Sequence, residues 1–250
     1  MLKNLLFVFI FFFTTSISAQ VIVINEYSAA NHDSNPNSFQ DNYGYAEDWV
    51  ELYNNSGAPV DISGWQLSDK ADDPTKWIVP GSFIIPANGV SIIWCSGRGE
   101  ISASGDAHAS FKLTQTTGNE VIMLSNTAGV FQDSIRVIAN QAEHSRGRDS
   151  NGGVNWSIFT SATPGGNNTN AQLEYASTPI FSQVGGYYNS PVNLTISSPD
   201  PNITIYYTTN GDSPDNTSNV YSGPISITNT SVVKAIAYSS TPNIPPSFID

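Results

Sequence analysis

The sequence predicts an all-β protein built as two β-sandwiches in tandem, and three observations predict it. Apolar and polar side chains alternate with period two along most of the chain. The alternating runs are short and separated by Gly, Pro, Asn and Asp clusters, and no long stretch keeps a helical period. Charged residues make up only 12 % of the 250, against about 25 % in an ordinary soluble domain, so neutral polar side chains do most of the solvating. A hydrophobic fraction of 39 % is enough to fill a core and excludes wholesale disorder.

In chain order, the alternation predicts strands at Val21 to Glu26, Asp48 to Tyr53, Gly64 to Ser68, Gly89 to Trp94, Glu120 to Ser125 and Val130 to Val137. Further strands are expected at Pro191 to Ser197, Ile203 to Thr208 and Ser231 to Tyr238. In the second of these runs Val50 and Leu52 share one face, while Trp49, Glu51 and Tyr53 share the other, which reads as a half-buried strand. Turn residues at Asn54 to Gly57, Asp72 to Pro74, Pro86 to Gly89, Thr117 to Asn119, Asn126 to Gly129 and Asn210 to Gly211 punctuate the runs.

The N-terminus reads as a secretory signal peptide over residues 1–19. Lys3 precedes an apolar run from Leu5 to Phe13, and the small residues Ser16, Ser18 and Ala19 follow it. That run is less than half of the about 20 residues a membrane-spanning helix needs, and no other window is apolar enough. The expectation is a secreted product, extracellular or at the cell surface, with no membrane span once the leader is removed. A net charge of -12 argues against nucleic acid or an anionic membrane surface as the main partner and leaves cations and neutral ligands open; a cell-surface protein or glycan is the partner class expected. The lone Cys95 forms no internal disulfide and, within an apolar run, is expected to be a buried small hydrophobe.

A break in pattern from Thr163 to about Ser177 favours a mobile connector. The expected organisation is a first sandwich at 20–166, a linker at 167–177, a second sandwich at 178–240, and a Pro-rich linker or cut end at 241–250.

Chemistry-bearing patterns are sparse. The chain has no Gly-x-Ser-x-Gly elbow, no His-Glu-x-x-His or paired-cysteine motif and no phosphate-cradling Gly-x-x-x-x-Gly-Lys loop. The histidines, His32, His108 and His144, are scattered. No catalytic residue and no cofactor is therefore expected. Carboxylates offer the one ligand set: Asp33, Asp41, Glu47, Asp48 and Glu51 precede Asp69, Asp72 and Asp73. Asp69, Asp72 and Asp73 are the calcium candidates by virtue of their hard oxygens, although the Asp-x-Asp-x-Asp-Gly spacing is absent. Tyr43, Tyr45, Trp77, Tyr187, Tyr188, Tyr206 and Tyr221 are flanked by polar or turn residues, and Tyr188 and Tyr206 are the candidates for stacking on a sugar ring.

Several blocks then occur in a telling order: Ile24 to Tyr27, Asp48 to Asn54, Val60 to Asp69, Ile85 to Gly89, Phe111 to Leu113 with Gly118 to Glu120, Ser145 to Asp149 with Gly153 and Trp156, and Thr163 to Gly165. On these, Val23 to Asn168 resembles a bacterial lamin tail domain, which implies an immunoglobulin-type sandwich. Asp61 is expected to cap the following turn, Gly64 to permit a bend before a core Trp65, Pro86 and Gly89 to shape a reversal, and Arg148 to be a strut against a carboxylate. The Asn- and Asp-rich insertion from Ala29 to Ala46 is longer than a strand connection needs.

Pro179, Gly185 to Tyr188, Pro191 to Val192, Ile205 to Gly211, Ser213 to Pro214, Tyr221 to Ile225 and Val233 to Tyr238 make Thr178 to Ser239 similar to the small sandwich at the end of chitobiases and hexosaminidases, a GH29D-like module. In that family the module is an accessory, so the resemblance brings no catalytic residue. The resemblance implies a layout that in secreted bacterial proteins often continues into a further domain, such as a spore-coat-kinase-like fold. The resemblances imply a noncatalytic secreted pair for attachment, spacing or protein or glycan interaction. The alternatives are a carbohydrate-binding accessory region, or the targeting region of a longer enzyme whose catalytic domain lies beyond residue 250. The oligomeric state has no signature in the sequence.

Overall fold

A computed structural model describes residues 21–32, 38–115 and 118–250; the expected leader and Asp33 lie outside the described residues. Every regular element among them is a strand, and the chain folds as two immunoglobulin-like β-sandwiches in tandem. The first holds β1 (Ile22–Ser28), β2 (Trp49–Asn54), β3 (Val60–Asp61), β4 (Gln66–Ser68), β5 (Trp77–Ile78), β6 (Ile84–Ile85), β7 (Val90–Trp94), β8 (Glu100–Ile101), β9 (Ala107–His108), β10 (Val121–Ser125), β11 (Phe131–Arg136), β12 (Ser145–Arg148) and β13 (Trp156–Phe159). The second holds β14 (Ile180–Phe181), β15 (Val192–Leu194), β16 (Ile196–Ser197), β17 (Ile203–Thr208), β18 (Asn219–Val220), β19 (Ile225–Ile227) and β20 (Lys234–Ser239).

In the first sandwich a seven-stranded sheet, ordered β13-β12-β1-β2-β7-β9-β8, faces a four-stranded sheet, ordered β11-β10-β4-β5. The core lies between them. Ile22, Ile24, Val50, Leu52 and Ile93 come from the larger sheet, and Leu67, Trp77, Ile122 and Leu124 from the smaller. A register shift between Ile24 and Glu26 interrupts the β1–β2 ladder. The bulge reverses the alternation, so that Tyr27 enters the core with Ile22 and Ile24, while Glu26 is turned away from it.

Val50 and Leu52 face the core as the alternation requires, but β2 is not half-buried. Its opposite face is also covered, and Trp49 is buried with Phe39 packed edge-on against it at 6.0 Å. Phe39 in turn stacks on Trp94 at 4.7 Å. The insertion therefore supplies a second apolar layer that period-two reading assigns to solvent.

Several smaller expectations from the blocks hold, although Trp65 packs against the core only partly buried instead of lying within it. Asp61 Oδ1 accepts from the Ser63 and Phe83 amides at 2.9 and 3.1 Å, and those bonds, the Ser63 one foremost, hold its carboxyl below the usual range. Gly89 donates to the Pro86 carbonyl at 3.1 Å, and a Cβ there would meet Pro86 Cβ at 2.9 Å. Arg148 pairs with Asp133 at 2.7 Å and donates from Nε to the Ile24 carbonyl at 2.7 Å, tying β12 to β1 and β11.

The second sandwich is smaller. β17 lies between β18 and β20, β15 pairs with β19, and β14 pairs with β16. Ile196, Ile205 and Ala235 form its centre, with Phe181, Ile203, Tyr207, Tyr221 and Ile225 around them.

Two segments differ from the mobile connector and Pro-rich linker that composition suggests. Residues 167–177 are docked: Asn168 and Ala176 are buried, Gln172 bridges to Ile158, and Tyr175 is 8 % exposed. Residues 241–250 return along β20. Ser247 donates to the Ala237 carbonyl at 2.9 Å, and Ala235 and Asp250 exchange bonds of 3.0 Å. The physical reason is that an edge strand leaves donors and acceptors unmet, which a Pro-containing chain still answers with its non-Pro residues and its carbonyls. Gly147, beneath the docked connector, has no room for a side chain: a Cβ would meet Glu26 Cγ at 2.9 Å and Asn168 Nδ2 and Phe159 Cε2 at 3.0 Å. Gly147→Ala is expected to cost about 1–3 kcal/mol by overpacking, read as a lower urea midpoint at unchanged slope.

Candidate functional site

The predicted carboxylates do not converge. Asp69 is held in both oxygens by Lys76 Nζ, at 2.6 and 2.7 Å, whereas Asp72 and Asp73 are exposed. Among the described residues no group of three or more His, Cys, Asp or Glu side chains could hold a metal ion. The carboxylates of the insertion serve as internal ties. Asp41 Oδ1 accepts from the Tyr43 and Tyr45 amides, each at 2.9 Å, while its Oδ2 takes Arg98 at 3.0 Å. Arg98 lies over the Tyr43 ring at 4.6 Å, and Glu47 takes Lys112 at 2.9 Å.

Two of the histidines touch a hydroxyl, His108 that of Ser96 and His144 that of Tyr175. His108 Nε2 is 2.8 Å from Asn42 Oδ1, which can only accept, so Nε2 carries the proton. Nδ1 then accepts from Ser96 Oγ at 3.0 Å. Burial pushes the imidazole pKa down, which keeps it neutral. The third member is an amide rather than an acid, and His108 is fully buried. The trio fastens loop 41–45 onto β7 and β9.

The second sandwich carries a concavity of about 660 Å³, a groove between the loop joining β14 to β15 and the loop after β19. Phe181, Val192, Leu194 and Ile227 line its apolar part, and Gln183, Asn189 and Asn229 present amides. The base of the first loop is fixed where Ser182 and Thr195 exchange bonds of 2.9 Å. Its tip is held by the Tyr188 hydroxyl, which donates to the Val184 carbonyl at 2.6 Å. Tyr188 therefore stands at the groove. Tyr206 does not; its ring packs edge-on against Tyr238 at 5.4 Å, away from the groove lining. Tyr187, beside Tyr188, is fully exposed and does line the groove.

Sequence reasoning missed the junction between the sandwiches. Tyr175 stacks on His144 at 5.8 Å and meets Phe248 edge-on at 5.1 Å. Its hydroxyl is 2.8 Å from His144 Nδ1 and accepts from the Gln141 amide at 3.1 Å. Gln141 Nε2 reaches the Pro246 carbonyl at 2.8 Å, and Arg146 grips Glu174 with two bonds of 2.7 and 2.8 Å. These residues come from the first sandwich, the connector and the chain beyond β20, and no local spacing relates them.

Residues 15–139, half of the chain, match the Lamin Tail Domain family, and residues 183–244 match the Chitobiase/beta-hexosaminidase C-terminal domain. No curated protein matches the chain. β12 and β13 lie after the first matched segment, yet they complete its larger sheet.

Several buried acids carry raised pKa values with desolvation as the main cause: Glu51 at about 8, Asp48 and Glu120 at about 7. A carboxyl whose proton is held more tightly in the fold adds stability below its unfolded pKa, and that stability is lost as pH rises through the folded value. The urea midpoint is therefore expected to fall from pH 5 to pH 8, with a shallower fall in Glu51→Gln. Melting curves with calcium or with a chelator are expected to superimpose, because Asp69, Asp72 and Asp73 form no shared site.

Proposed function

Because the chain belongs to the lamin tail domain family and carries a chitobiase/hexosaminidase-type module behind that domain, we propose that it is a noncatalytic, exported pair of sandwiches that spaces or presents a binding surface outside the cell. The junction at Tyr175 carries the proposal. Modules joined by a flexible linker tumble independently, whereas a spacer needs a fixed angle. Here an aromatic from the connector is gripped on one side by His144 and Gln141 and on the other by Phe248, with Arg146 and Glu174 beside it. Such a connection transmits orientation from one sandwich to the other. The leader at residues 1–19 is the feature that supports export. The partner for such a unit is a cell-surface protein or glycan.

The test uses spin labels at Asp72→Cys and Asn216→Cys, both exposed, with Cys95 buried and unreactive. A single narrow distance distribution is expected, broadened by Tyr175→Ala; a broad distribution in the parent would sink the spacer. Export is checked by fractionating cells that express the full chain, with processing expected before Gln20.

A further inference from the structure

The groove of the second sandwich has an unusual lining. Among the described residues that form it there is no Asp, Glu, Lys, Arg or His, in a chain whose net charge is -12. A concavity without charged side chains offers no counter-charge to an ionic ligand. Its groups are of two kinds only: aromatic or aliphatic faces, and amides or hydroxyls such as Gln183, Asn189 and Thr228. A pyranose ring has both complements, C–H faces that pack on an aromatic ring and neighbouring hydroxyls that take bonds from one amide's donor and acceptor together.

The loop tip gives a second, independent observation. Val184 is 83 % exposed and Tyr187 108 %, so the fold gains little from burying either. Between them stand Gly185 and Gly186. Neither lies in the left-handed region, and a Cβ on either would meet nothing within 4 Å. Neither backbone geometry nor packing calls for glycine here. Bare backbone at this tip leaves room for close approach of a ligand. Tyr188 adds a ring whose position is fixed by its bond to Val184.

We propose that this groove binds a neutral polysaccharide, with Tyr187 and Tyr188 stacking on sugar rings, Gly185 and Gly186 admitting the chain to the backbone, and Gln183 and Asn229 bonding hydroxyls. The assignment deepens the noncatalytic presentation role and rests on it. A groove of about 660 Å³ falls within the range of roughly 300–1,000 Å³ usual for ligand sites, which suits a few sugar units of a longer chain.

The test is electrophoresis of the full chain through native gels containing galactomannan, xyloglucan or hydroxyethylcellulose, with polygalacturonate as the anionic control. Retardation by at least one neutral polymer is expected and none by polygalacturonate. Tyr187→Ala is expected to weaken retardation about tenfold or more at an unchanged melting temperature, since its ring supports nothing in the fold. Gly186→Val is expected to weaken it as well, whereas Tyr206→Ala retains it. Absence of retardation in every neutral gel, retardation untouched by Tyr187→Ala, or preference for polygalacturonate overturns the assignment. Displacement by reduced, carboxymethylated casein overturns it in favour of a peptide groove. Release of reducing ends from a retained polymer would instead overturn the noncatalytic role, while the Tyr187 dependence would still decide the groove.

Discussion

Two carboxyl side chains stand opposite each other in the middle of the larger sheet, and the first sandwich is arranged around the need to satisfy them. Glu26 on β1 and Glu51 on β2 are register partners, and both are fully buried. Burial raises both pKa values, that of Glu51 to about 8 with the neighbouring Glu26 adding to the rise, because a charged carboxylate is poorly solvated there. Their oxygens still need donors. Asn25 Nδ2 and the Gly165 amide serve Glu51 at 2.8 and 2.7 Å; the Ser145 hydroxyl and the Thr163 amide and hydroxyl serve Glu26. Three of those donors belong to residues 163–165, which explains why this stretch lies down on the sheet instead of swinging free. Asn168 continues the same network, bonding Asn25 and the Arg148 carbonyl.

That network was only half legible in the sequence. The Ile24-Asn-Glu-Tyr27 and Thr163-Pro-Gly165 blocks identified a domain type, and alternation placed Val50 and Leu52 in the core correctly. Alternation also left Glu51 and Trp49 facing water, because period two reports which residues share a face and is silent on whether a distant loop covers that face. A Gly- and Asn-rich stretch has the composition of a tether whether or not its amides find buried acceptors. For the same reason, Tyr175 and Ser247 carried no warning that they are buried.

The candidate site was legible in part. Tyr188 was distinguishable by its turn-rich surroundings and adjacent glycines, and it does border the groove. Tyr206 has equally polar neighbours, but its cross-strand environment, with Tyr238 beside it, depends on the β17–β20 register, which no short window encodes. The acidic residues misled for a related reason. Clustering in sequence suggested a shared cation, whereas Lys76, Arg98 and Lys112, each remote in sequence or across a turn, reach them one by one.

Cys95 belongs to the core of the first sandwich, has no exposed surface, and its thiol pKa is raised well above 9.0 by burial and by the surrounding acids. Attack on a disulfide or a peroxide requires the thiolate and a path to it, and this sulfur has neither. The only thiol of the chain is thus chemically silent in the native state, so folded copies do not crosslink to one another and do not form mixed disulfides in oxidising surroundings. Cohesion comes from packing, hydrogen bonds and ion pairs, and reductants leave it untouched.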